Sequence, residues 1–234
     1  MPFVSTRQPD GTAVTLAEAV QRGLAPDGGL YVPVHVPRMA SAEFDALRGR
    51  SLAEVATALL APLVADTFTE DALGDLMASA LDFAIPLVPV APGIAMQELF
   101  HGPTLAFKDV GARTMARWLA AVSGSADPRP LTVLVATSGD TGGAVAHAFH
   151  GVAGTRVVVL YPRGRVSDVQ EAQFATLGGN VTAVAVAGAF DDCQRLVKEA
   201  FADASIAGSL RLTSANSINI GRLLPQMAYY AWAA

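Results

Sequence analysis

Residues 131–149 read LTVLVATSGDTGGAVAHAF: an apolar β-rich run, a glycine-rich turn, and a small-residue helix. The run Leu131–Ala136 suits a strand buried on both faces, and the helix is expected from about Gly143 to His150. The same order recurs downstream. Arg156–Tyr161 is a second run, and Ser167–Leu177 is its helix, with Ser167 and Gln170 as a capping box and Gly178 as a stop. Val181–Ala187 is a third run, followed by a helix over Phe190–Ala202 with Asp191 and Asp192 in its first turn. Leu210–Thr213 is a fourth, leading into a helix from about Ile218 onward. Strands alternating with helices predict an α/β fold, a parallel sheet with flanking helices. Ligands of such sheets bind at the carboxyl ends of the strands.

Upstream, residues 1–81 read as a small, mainly helical domain. Thr15–Glu18 (TLAE) and Ser51–Glu54 (SLAE) are capping boxes, Gly23 is a helix stop, and Thr69 caps a further helix. PDGGLYVP (Pro26–Pro33) is a turn entering a short extended piece. The expected division is 1–81 and 82–234. The final helix, RLLPQMAYYAWAA, ends apolar and without a polar stop. An apolar helix end calls for cover, so the chain is expected either to be truncated or to self-associate through this uncapped C-terminal helix.

Composition narrows the function. With 52% hydrophobic and 16% charged residues, the chain suits a folded core rather than disorder. A net charge of -5 offers no basic face for nucleic acid. No apolar stretch approaches the roughly 20 residues of a membrane span. Met1–Asp10 lacks a charged and then apolar leader, so a cytoplasmic protein is expected. The one cysteine, Cys193, reads as structural. His35, His101, His147 and His150 show no metal-ligand spacing, and His147, among apolar letters, reads as packed.

Four stretches could carry chemistry. In HGPTLAFKDVGART (His101–Thr114), Lys108 follows Leu105, Ala106 and Phe107 where a helix begins near Asp109. A lysine in apolar surroundings yields its neutral amine more readily and can form a Schiff base. The same letters also suit a surface lysine at a helix start. In the turn Thr137-Ser138-Gly139-Asp140-Thr141-Gly142, small residues admit a ligand to the backbone. The following helix N-terminus favours a carboxylate or phosphate. A plain strand-to-helix turn reads similarly. In YPRGRVSDVQ (Tyr161–Gln170), Arg163, Arg165 and Ser167 could meet an anion. In TSANSINIGRLLPQ (Thr213–Gln226), Asn219 and Arg222 fall on one helical face, or serve as a cap and its neighbour.

Taken together, ELFHGPTLAFKD (98–109), ATSGDTG (136–142), LYPRGRVS (160–167), TLGGN (176–180) and SANSINIGR (214–222) resemble threonine synthases, in that family's order and spacing. GLAPDGGLYVP (23–33) resembles the helical leader of one branch. The resemblance implies a fold type II pyridoxal-phosphate enzyme with tryptophan synthase β-like architecture. It implies pyridoxal 5'-phosphate as cofactor, bound as a Schiff base on Lys108, with Phe107 and Asp140 beside it. Thr137, Ser138, Gly139, Asp140 and Thr141 would bind the substrate's α-carboxylate. Arg165, Ser167, Asn219 and Arg222 would be candidates for its phosphate. The implied reaction converts O-phospho-L-homoserine and water to L-threonine and phosphate. The group cradling the cofactor phosphate and the partner of the pyridine nitrogen would lie beyond Ala234, which implies a fragment inactive alone. A threonine or serine dehydratase-like lyase and a catalytically silent, threonine-synthase-like binding protein are the alternatives.

Overall fold

The computed structural model describes residues 1–123 and 128–234. At the N-terminal end, β1 (Phe3–Ser5) pairs antiparallel with β2 (Tyr31–Pro33), and α1 (Leu16–Arg22) lies between them in sequence. Thr15 Oγ1 accepts from Glu18 N–H at 3.2 Å, but Glu18 pairs with Arg22 at 2.7 Å. That expected box is therefore half made. α2 (Ser41–Asp45) was not anticipated, because Ala40 has no capping oxygen. α3 (Leu52–Val64) carries the full expected box at Ser51, and α4 (Glu70–Ala80) is capped by Thr69.

A hairpin then follows, β3 (Leu87–Ala91) with β4 (Ile94–Gln97), turning at Gly93. Pro89 hid it, since proline removes a ladder donor and argues against a strand. α5 (Lys108–Val122) leads to the main sheet of β5 (Leu131–Ala136), β6 (Thr155–Pro162), β7 (Val181–Val186) and β8 (Arg211–Ser214). All pairings are parallel, in the order β7-β6-β5-β8. The connecting helices are α6 (Asp140–Phe149), α7 (Asp168–Ala175), α8 (Phe190–Ala202) and a short α9 (Ala204–Ser209). The sequence reading missed α9.

Alternation along the strands divides the sheet's two faces. Val133, Val135, Val157 and Val159 join the main core with Met115, Leu119, Val145 and Phe149. Leu134, Ala136 and Leu160 turn the other way and meet Cys193 of α8. The main core continues without a break to Phe3, Leu16, Leu60 and Met77. Truncating a fully buried side chain such as Phe149 would cost about 3–5 kcal/mol.

The single helix expected from Ile218 is instead α10 (Ile220–Leu223), a 3-10 turn at Leu224–Gln226, and α11 (Met227–Ala233). Pro225 interrupts the ladder, having no N–H to donate. The apolar end, expected to call for a second molecule or a continuing chain, is covered in part by the chain itself. α11 packs on α3, Tyr229 is buried, and Trp232 Nε1 donates to Ile85 O at 2.8 Å. Tyr230 stays outside, 69% exposed. Among the described residues no helix is long and apolar enough to cross a membrane.

Candidate active site

The strand order fixes where a ligand can sit. The chain leaves β5 toward β6 on one side, and β8 pairs with β5 on the other. The loops after β5 and β8 therefore part at a topological switch point, the usual ligand crevice of an open parallel sheet. Asn216 Nδ2 staples the two loops, donating to Ala136 O at 3.3 Å.

The β5–α6 loop is built around Thr137, which is 1% exposed. Its Oγ1 accepts from the N–H groups of Gly139 (3.0 Å) and Gly142 (2.8 Å), and donates to Gly139 O. Gly139 sits at φ 149°, and a Cβ there would run into the Gln170 side chain. The α6 helix starts at Asp140 rather than near Gly143, so Asp140 and Thr141 lie in its first turn. Gly139 at the cap carries none of the side-chain oxygens that mark a helix start, hence the late expected boundary. Asp140 Oδ1 accepts from Thr141 N–H at 2.9 Å. Among the described residues, the N–H groups of Ser138 and Asp140 and the hydroxyls of Ser138 and Thr141 have no hydrogen-bond partner. Such a helix N-terminus suits a carboxylate.

Lys108 arrives at this loop as the first residue of α5. The preceding turn is pinned by Asp109, 1% exposed, which accepts from Thr104 N–H (2.9 Å) and Oγ1 (2.7 Å). Leu105 within that turn has φ 58°, the one positive φ outside glycine among the described residues. Lys108 Nζ forms an ion pair with Asp140 and lies 4.7 Å from the Phe107 ring centroid. The expected apolar surroundings are corrected here. Leu105 and Phe107 are 70% and 41% exposed, and the amine sits between a carboxylate and one ring face.

The remaining candidates divide. Arg165 is exposed on the loop after β6, and Ser167 caps α7, its Oγ accepting from Gln170 N–H. Asn219 is fully buried. Its Nδ2 donates to Val20 O and Ser214 O, and its Oδ1 accepts from Gly221 N–H. Both donors are spent on the scaffold, so the structure does not bring Asn219 into contact with a ligand. Arg222 is also buried, with Nη1 donating to Ala215 O at 2.7 Å. Burial pushes its pKa down to about 10, against the pull of Asp109 and Asp140. His147, expected to be packed, faces solvent. Cys193 is buried, and burial raises its thiol pKa. A cavity of about 370 Å³ between Phe44, Leu47, Ile85 and Trp232 lies away from this cluster and offers chiefly apolar walls.

Sequence reasoning missed the Asp109–Thr104 clamp and the Asn216 staple, both of which depend on tertiary contact. It also passed over a simple count. The chain has two lysines, Lys108 and Lys198, and Lys198 is exposed on α8. Lys108 is thus the lysine that lies at the switch point.

A parallel sheet with a lysine at its crevice, paired to a carboxylate beside an open helix N-terminus, defines a class of protein. The chain belongs to the pyridoxal-phosphate-dependent enzyme family, whose model matches residues 90–233. Residues 2–81 match the model described as the threonine synthase N terminus. Within the family the chain is similar to threonine synthases. It is 46% identical to that of Serratia marcescens and 45% to that of Escherichia coli K12, over 93% of this chain and 50% of each relative. The crystal structure of Escherichia coli threonine synthase superposes with a TM-score of 0.91 at 43% identity, covering 99% of this chain and 53% of that one. The pyridoxal-phosphate-bound threonine synthase from Brucella melitensis superposes with a TM-score of 0.91 at 40% identity, covering 100% of this chain and 51% of that one. The chain therefore spans about half the length of the curated relatives it matches.

The residues present fit the aldehyde end of pyridoxal phosphate. The Lys108 side chain is 19% exposed at the crevice, and a carboxylate adjoins its amine. Gly139 and Gly142 let Gln170 and Thr137 pack against the loop, which holds its free N–H groups beside the amine.

Proposed function

We propose that the protein carrying this chain is a threonine synthase, a cytoplasmic enzyme converting O-phospho-L-homoserine and water to L-threonine and phosphate. The observation that carries the reading is the Lys108–Asp140 pair set against the open N-terminus of α6. Lys108 is the residue that holds the cofactor aldehyde. When bound, the cofactor supplies a ring that takes up negative charge from the substrate's α-carbon. Lys108 Nζ moves the proton at that carbon, and Asp140 orients the amine between transfers. Phe107 shields one side of the amine. The N–H groups of Ser138 and Asp140, with the Ser138 and Thr141 hydroxyls, bind the α-carboxylate. Thr137 and Gly139 hold that loop in shape. Arg165 and Ser167 face the substrate phosphate, while Asn219 fixes the loop after β8. The remainder of the cofactor site belongs, on this reading, to the portion of the relatives that this chain does not span.

The test is turnover by the full-length protein loaded with pyridoxal phosphate. Equimolar threonine and inorganic phosphate from O-phospho-L-homoserine are expected. Absence of phosphate release, with deamination of threonine or serine instead, would replace this reading with a dehydratase.

A further inference from the structure

Arg222 is unusual in its placement. It is 2% exposed, its Nη1 reaches only a backbone carbonyl, and its Nε is buried without a partner. It lies against the first turn of α5. A Cβ added at Gly111 would fall 2.7 Å from Arg222 O and 3.1 Å from its Nε. A cation beneath a helix N-terminus opposes the helix dipole, and a buried guanidinium without compensation is costly. Something must offset both. The charges that reach it are Asp109 and Asp140. The first anchors the turn that presents Lys108, and the second is the carboxylate paired with Lys108.

These four side chains form a balanced group of two cations and two carboxylates. The balance changes when Lys108 is uncharged, as forming a bond to an aldehyde requires. Arg222, buried against the first turn of α5, is then the permanent cation whose charge still reaches both carboxylates.

We propose that Arg222 is a positioning residue, a buried counter-charge that holds the Asp140 carboxylate against Lys108, with Asp109 as its second partner. The proposal rests on the reading of Lys108 as the reactive lysine. Arg222 acts through Asp140 and Asp109, and does not take the substrate phosphate.

The experiment needs neither cofactor nor turnover, so its failure is separate from failure of the proposed activity. Reductive methylation with 13C-formaldehyde labels Lys108 and Lys198 along with the protein's other amines, and Lys108→Arg and Lys198→Arg each assign the corresponding carbon signal by NMR. The Phe107 ring face, 4.7 Å from Lys108 Nζ, should displace the Lys108 signal upfield of Lys198. Arg222→Lys, which keeps the charge, is expected to retain that displacement. Arg222→Met is expected to lose it, with the Lys198 signal unmoved throughout. An unchanged Lys108 signal in folded Arg222→Met, or its loss in folded Arg222→Lys, would overturn the proposal. If Arg222→Met fails to fold, Arg222→Gln, which keeps a donor for Ala215 O without the charge, takes its place. Loss of the displacement in folded Arg222→Gln supports the proposal, and its retention there overturns it. Failure of both variants to fold assigns Arg222 to packing alone and overturns it.

Discussion

Two helix starts in this chain are built in opposite ways. At α3, Ser51 Oγ accepts from Glu54 N–H at 3.2 Å, and Glu54 Oε2 accepts from Ser51 N–H at 2.8 Å. That end is closed by its own side chains. At α6, the cap is Gly139, which has no side chain to offer, and Ser138, Asp140 and Thr141 keep unused donors. The α1, α4 and α7 starts follow α3, with Thr15, Thr69 and Ser167 as caps. The α5 start, where Lys108 sits, follows α6 in having no side-chain cap, whereas the alanine-capped α2 and α8 still keep half a box, Glu43 and Asp192 accepting from the cap N–H. A helix start that serves stability alone satisfies its orphan N–H groups locally. A start that must meet a ligand leaves donors over, and tertiary contacts hold it instead: Thr137 for α6, and the Asp109–Thr104 clamp for α5.

Substitutions can break this distinction, and the largest effect belongs to Lys108→Ala. Capture of pyridoxal phosphate at the crevice should vanish, read as loss of the borohydride-stable adduct, while Lys198→Ala leaves it intact. Thr137→Val comes next. It strips the acceptor from the buried N–H groups of Gly139 and Gly142, and each orphaned donor costs about 1–3 kcal/mol. Urea denaturation should show the loss, and cofactor capture should fall with it. Gly139→Ala forces a side chain onto a φ of 149° against Gln170, at about 1–3 kcal/mol of strain. It should weaken capture more than it lowers the melting temperature.

Ser51→Ala sharpens the contrast from the other side. Losing that cap costs about 1 kcal/mol of stability and should leave cofactor capture unchanged. A drop in capture as large as that of Gly139→Ala would erase the distinction between the two starts. The smallest effect is one of pH. The Ser51 N–H and hydroxyl hold Glu54 below its ordinary value of 4.5. A depressed carboxylate contributes stability above its unfolded pKa and loses it as pH falls through the folded one. Thermal melts should therefore show the Ser51→Ala deficit shrinking below about pH 4.

Much of the frame was legible because its signals are local. The run Leu131–Ala136 is apolar throughout and buried throughout, and Phe190–Ala202 is bounded by acidic letters at its start. The hairpin at Leu87–Gln97 was not legible, because Pro89 lies inside it and both its strands are largely exposed. The start of α6 was misplaced because its cap is a glycine held by a threonine two residues earlier. In the site, Lys108 and the loop at Ser138–Thr141 stood out as separate stretches. That they meet through Asp140 is a product of the fold. So is the burial of Asn219 and Arg222, whose letters alone suit a ligand as well as a scaffold.

The most direct test is to expose the chain to limiting pyridoxal phosphate, reduce with borohydride, and map the adduct by mass spectrometry. The account predicts that Lys108 carries the label ahead of Lys198 and the N-terminal amine, and that Asp140→Asn diminishes this preference. Label shared evenly among the three amines, or concentrated on Lys198, would contradict it.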